Sequence, residues 1–329
     1  MDLNQILIPI LIFGAGAITI IGFLFFLETL RKKGHLMRVL NMSLFLVALP
    51  KEFPKEGEAQ KQPKELIAAS EQFFASLANV KDPSFWSSFV YGAPHLVFEI
   101  AAPQGSEEII FYAAVPKRFE TLVEKQIHGF YPTAQIEKIN DYNIFHPSGT
   151  EAGGYLKLKK ISALPVVTYQ VLDVDPLNNL TNALSKLGKE EGGAIQILLR
   201  PAPSGWSKRG NRVVQLLKKG KSLKHAMYET GGGIGGIVRE IFNILSVSSE
   251  KKPEEAKIIA EEIVKPIETK NLKSGFEVNI RVLTSAADKE RAKELLDHLE
   301  AGFLQFNSPD LNLFSAVHPK YLNKLNFDF

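Results

Sequence analysis

From Ile6 to Leu27 the chain reads ILIPILIFGAGAITIIGFLFFL, without one charged residue. A helix rises about 1.5 Å per residue, so this run reaches roughly 33 Å, enough for a hydrocarbon core of roughly 30 Å. Arg31, Lys32, Lys33, His35 and Arg38 follow it, whereas the N-terminal flank carries Asp2 and no Lys or Arg. Cytoplasmic flanks are enriched in Lys and Arg. The pattern therefore predicts a transmembrane anchor within residues 1–38, oriented by Arg31, Lys32, Lys33 and Arg38. The N-terminus would lie outside the inner (plasma) membrane and the remaining domains in the cytoplasm. A cleaved signal peptide fits less well, because MDLNQ is not basic, the apolar core is too long and RKK follows it. Gly14 and Gly16 are two residues apart, so no G-x-x-x-G helix-dimer face is indicated.

Beyond the anchor about 290 residues remain, room for two ordinary domains. The hydrophobic share of 45% and charged share of 23% are those of a folded chain. A net charge of +3 does not make the whole chain a strong polyanion binder, and the absence of cysteine excludes disulfides, thiolate metal sites and cysteine nucleophiles.

The remainder reads as one module used twice. Asn41–Leu49 suits a buried strand ended by Pro50, and Lys51–Pro63 a polar loop. Lys64–Leu77 has helical apolar spacing through Leu66, Ile67, Phe73, Phe74 and Leu77. His95–Ala101 and Ile109–Val115 are strands joined by PQGSEE. Pro116 opens a helix that stops near Gly129, and Ala134–Ile139 closes as a strand. This order, β-α-β-β-α-β, is the ferredoxin-like arrangement.

The order is expected to recur through a strand-rich Tyr155–Val171, a helix over Asp175–Leu187, and strands Ala194–Leu199 and Phe276–Leu283. A helix starting at Ser285 or Asp288 and a last strand at Phe303–Phe306 complete the copy. The expected fold is thus α+β, a single transmembrane helix followed by two ferredoxin-like modules. They span residues 39–150 and 151–329, the second with a long helical insertion over about 201–274.

Within the insertion, Pro203–His225 holds Lys208, Arg209, Arg212, Lys218, Lys219, Lys221, Lys224 and His225, and no Asp or Glu. Trp206, Val213, Val214, Leu216 and Leu217 fit an amphipathic helix. Such a surface faces anions, either nucleic-acid phosphate or an anionic leaflet, or it is simply a solvated basic helix. Thr230–Gly236 reads as a flexible linker, followed by apolar Ile237, Ile241, Phe242, Ile244 and Leu245. Pro253–Lys270 reads as a solvent-facing helix with Glu and Lys at i,i+4.

Motifs for catalysis are missing. The nearest approach to a phosphate-binding loop, Gly220-Lys221-Ser222, has Gln215 where the first glycine is needed. His35, His95, His128, His146, His225, His298 and His318 form no i,i+4 pair and no H-E-x-x-H, and there is no G-x-S-x-G. Asp173/Asp175 and Glu107/Glu108 read as turn or strand-end residues. No enzyme, cofactor or metal is expected from these patterns.

One stretch carries a family resemblance. His95–Ala101, Val115-Pro116, Gln126-Ile127, Tyr131-Pro132, Ile136-Glu137 and Asp141-Tyr142, together with the N-terminal anchor, Phe303-Leu304-Gln305-Phe306 and Asn312, form the pattern. It resembles the membrane-anchored region that precedes the ATPase domain in bacterial conjugative DNA-transfer, or type IV secretion, ATPases. The nucleotide-binding residues of those ATPases are not in this chain, so no active site is carried over. The resemblance implies a non-enzymatic, single-pass membrane protein of a secretion or conjugation machine. Its cytoplasmic modules would bind or scaffold a partner ATPase, or a second copy. The alternative is a membrane-tethered module that binds DNA through the basic residues 208–225.

Overall fold

The computed structural model describes residues 3–49, 63–82, 84–106, 108–172, 175–230 and 253–320. Helix α1 (Leu3–Leu40) leads into β1 (Met42–Ala48), then α2 (Pro63–Ser76), α3 (Phe85–Tyr91), β2 (Leu96–Ala102), β3 (Ile110–Pro116), α4 (Glu120–Phe130) and β4 (Gln135–Ile139). The second half holds β5 (Thr150–Leu158), α5 (Leu177–Leu184), β6 (Gly192–Pro201), α6 (Lys208–Lys218), α7 (Leu223–Thr230), α8 (Pro253–Asn271), β7 (Phe276–Ala286), α9 (Lys289–Ala301) and β8 (Phe314–Val317). The loop expected at Lys51–Pro63, the glycine linker and the apolar stretch 237–245 lie outside the described residues, apart from Pro63 and Thr230.

All eight strands form one antiparallel sheet, in the order β4-β1-β3-β2-β6-β7-β5-β8. This corrects the expectation of two ferredoxin-like modules behind a transmembrane helix. The two halves are not separate sheets. Strand β2 would be the free edge of the first quartet and β6 that of the second. They pair from Leu96↔Leu199 to Ala102↔Gly193, which satisfies the backbone groups of both edges. Outward from this seam the two quartets run in the same relative order, 2-3-1-4 and 6-7-5-8.

The anchor is corrected as well. Among the described residues no helix is long and apolar enough to cross a membrane. The side chains of Ile6–Phe13 lie outside the described residues. The lack of a spanning helix among the described residues contradicts the expected single-span inner-membrane location, with the N-terminus out and the domains in the cytoplasm. The C-terminal half of α1 docks on the protein body instead. Arg31 lies over the Phe89 ring of α3, 5.6 Å from its centroid, and Arg38 binds Asp82 at 2.7 Å.

Helices α2, α4, α5 and α9 cover one face of the sheet. Under α2 and α4, Phe45, Phe73, Leu77, Leu96, Val115 and Val123 form one core. Under α5 and α9, Leu184, Ile195, Val282, Leu296 and Leu299 form another. Asp288 caps α9 by accepting from the Arg291 N–H at 2.8 Å. The strand expected at Phe303–Phe306 is instead a 3₁₀ turn, Gly302–Phe306, and the edge strand comes later, at Phe314–Val317. Phe303 and Phe306 pack edge-on or tilted against Phe314 and each other there, which a short turn allows and alternating strand geometry does not. The insertion folds as a small bundle of α6, α7 and α8 around Leu164, Val213, Leu217, Ala226 and Ile267.

Because Phe45 of β1 belongs to the first core, Phe45→Ala should destabilise the full chain by about 3–4 kcal/mol. Urea unfolding followed by far-ultraviolet circular dichroism measures this, as a lower midpoint at unchanged slope.

Candidate functional site

The face of the sheet opposite the helices carries a row of polar side chains in register. Tyr112 pairs with Glu99, Glu99 with Gln196, Gln196 with Arg281 and Arg281 with Tyr155, crossing β3, β2, β6, β7 and β5. Directly opposed residues of antiparallel strands point to the same side, so the five share one face. Glu99 and Arg281 are only 7% and 9% exposed.

A strap covers them. The connection from β4 to β5, residues 140–149, crosses this face from one half of the sheet to the other. Tyr142 stacks on Tyr112 with ring centroids 4.1 Å apart and donates its hydroxyl to Glu99. Gln196 donates to the other Glu99 oxygen at 3.0 Å. The Asn143 carbonyl accepts from the Gln104 N–H at 3.1 Å, and the His146 N–H donates to Ser285 Oγ at 2.9 Å. The strap lies so close to β6 that a Cβ on Gly192 would stand 2.0 Å from the Ile144 carbonyl oxygen.

Burial raises the Glu99 carboxyl above its ordinary range, with Asp141 adding to the shift. The hydrogen bonds from Tyr142 and Gln196, and the charge of Arg281, oppose it. Burial and the neighbouring Glu99 likewise raise Tyr142, which keeps its hydroxyl a donor. The arrangement is a closed lock between strap and sheet. Glu99 and Arg281 stood in plain view in the sequence, each between two apolar neighbours in the strands HLVFEIA and FEVNIRVL. A charge flanked by apolar neighbours on both sides is the signal that could have found them.

The basic residues foreseen in the insertion lie on α6, the following turn and α7. Helix α6 buries Val213, Val214, Leu216 and Leu217 and turns Lys208, Arg209, Arg212 and Lys218 outward. Two of the seven are neutralised: Arg212 pairs with Glu229 of α7, and Lys218 with Glu268 of α8 at 2.6 Å. Those acids come from outside the acid-free run, so the sequence pattern hid them. Lys208, Arg209, Lys219, Lys221 and Lys224 are exposed and make no ion pair among the described residues.

The residues expected to orient a membrane anchor are placed on the body or along α1. Arg38 shares the buried Asp82 carboxylate, 0% exposed, with Arg118. Lys32 pairs with Glu28 one turn earlier at 2.8 Å, and Lys33 is exposed.

Residues 60–321 match the family described as "Domain of unknown function (DUF8128)". The chain belongs to this family. None of the curated proteins compared with it matches. The DUF8128 match leaves out α1 and β1, although β1 sits between β3 and β4 in the sheet.

The linkage of Glu99 has a definite sign. An acid whose folded pKa is raised stabilises the fold fully below the ordinary carboxylate range and loses that contribution as pH rises through the raised value. Glu99→Gln should therefore gain stability relative to the natural chain as pH rises from about 4 to 8. Paired urea midpoints across that range measure the difference, in which the other carboxylates cancel.

Proposed function

We propose that this DUF8128 protein is a non-enzymatic assembly module that binds a protein partner through α1. One observation supports the reading: Ile18 and Phe25 are 73% and 72% exposed, and Ile20, Ile21, Phe23, Leu24 and Phe26 are more than half exposed. At about 100° per residue these positions go round the whole helix. Contiguous exposed apolar surface of this kind is the usual mark of an interaction site, and here it needs a partner that wraps the helix. The resemblance to the pre-ATPase region of conjugative and secretion ATPases names the partner class, a hexameric DNA-translocating or secretion ATPase. Self-assembly is the other way to cover the surface.

Sedimentation velocity of the full chain, alone and with such a purified ATPase, tests this. The natural chain should sediment as an assembly in at least one of the two conditions. Phe23→Glu/Phe26→Glu should sediment as a free monomer in both, with unchanged thermal unfolding. Equal sedimentation of the two proteins under both conditions would overturn the reading.

The second reading, DNA binding by the insertion, is favoured by the five exposed cations without an ion pair among the described residues. Changing Lys208, Lys219, Lys221 and Lys224 to Gln should lower the slope of log K against log salt by about 3. A fluorescence-anisotropy titration with duplex DNA at several salt concentrations reads it. An unchanged slope removes the reading.

A further inference from the structure

At the β8 edge of the sheet, α9 and the end of β8 bring three metal-binding side chains together. Asp297 and Glu300 are three residues apart on α9 and so share a face. His318 follows β8 directly. One ligand atom from each lies within 4.8 Å of the others. The His318 Nε2 stands 2.9 and 3.1 Å from the two Glu300 oxygens.

We propose that Asp297, Glu300 and His318 form a binding site for one divalent transition-metal ion, of which Zn²⁺ is the probe. Charge, space and ligand type support it. Two carboxylates and one imidazole carry a net negative charge even when the imidazole is protonated, and the Glu300 side chain is only 10% exposed. Asp297, which makes no ion pair among the described residues, sets a second carboxylate beside the His318–Glu300 pair, a charge that a dication balances. Gly154 of β5 also leaves room for the two ligand side chains. A Cβ there would stand 2.7 Å from Glu300 Oε1 and 2.9 Å from His318 Cδ2.

The donor set of one nitrogen and two carboxylate oxygens suits Zn²⁺ and similar ions, with a fourth position open to water. Tetrahedral bonds of about 2.0–2.1 Å need ligand atoms about 3.3 Å apart; the imidazole would move outward from Glu300 by a few tenths of an ångström, and the exposed Asp297 carboxylate, within 4.8 Å, would close in.

Isothermal titration of the full chain with ZnCl₂ at about pH 7.5 tests the site. The natural chain should bind one ion per chain. His318→Ala and Asp297→Asn should each weaken it about tenfold or more. Asp297 is exposed, so its variant keeps the fold. His225→Ala, which removes the exposed His225–Glu229 pair on α7, should leave binding unchanged. The proposal is overturned if the natural chain takes up no ion. It is equally overturned if His318→Ala and Asp297→Asn bind as the natural chain does, which would mean only scattered surface carboxylates were titrated.

Discussion

The pairing of β2 with β6 is the contact on which this structure depends. Each strand belongs to a four-stranded half whose other three strands lie on the far side of it. Left apart, each would present a full row of unpaired N–H and C=O groups along an apolar strand. The seven paired positions from Leu96↔Leu199 to Ala102↔Gly193 remove both rows at once. They also bring Ile100 and Ile195, directly opposed, into one core. The two halves become one hydrophobic unit rather than neighbours on a string.

The polar row on the open face follows from that seam. Glu99 lies on β2 and Gln196 on β6, so their hydrogen bond exists only because the seam sets their register. A slip of one residue would send Glu99 into the helix-covered core, where no partner of this kind waits. The strap then completes the lock, since Tyr142 satisfies the Glu99 oxygen that Gln196 does not reach. A buried carboxylate with its bonds satisfied adds specificity of register even where its net contribution to stability is small.

Legibility in the sequence varied with the range of the interaction. The strands at Met42–Ala48, Leu96–Ala102 and Phe276–Ala286, the helix capped by Asp288 and the helical character of the insertion were all readable. Each rests on local periodicity or a cap within a few residues. The strand expected at Phe303–Phe306 was not there, because aromatic spacing alone does not separate a 3₁₀ turn from a strand. The basic run of the insertion was readable as charge. That Arg212 and Lys218 are neutralised was not, because Glu229 and Glu268 come from separate helices.

By itself the sequence determined the alternation of strands and helices, the amphipathic faces of α6 and α9, and the uncharged apolar run of α1 around Phe25. These depend on side chains close along the chain, where solvent and backbone geometry act on each segment alone. Only the tertiary structure decided that the two halves share one sheet, that Arg38 belongs to Asp82, and that Asp297, Glu300 and His318 meet. Those outcomes rest on edge pairing and on contacts between residues far apart in the chain. Their energies arise only once the chain has closed the loops between them.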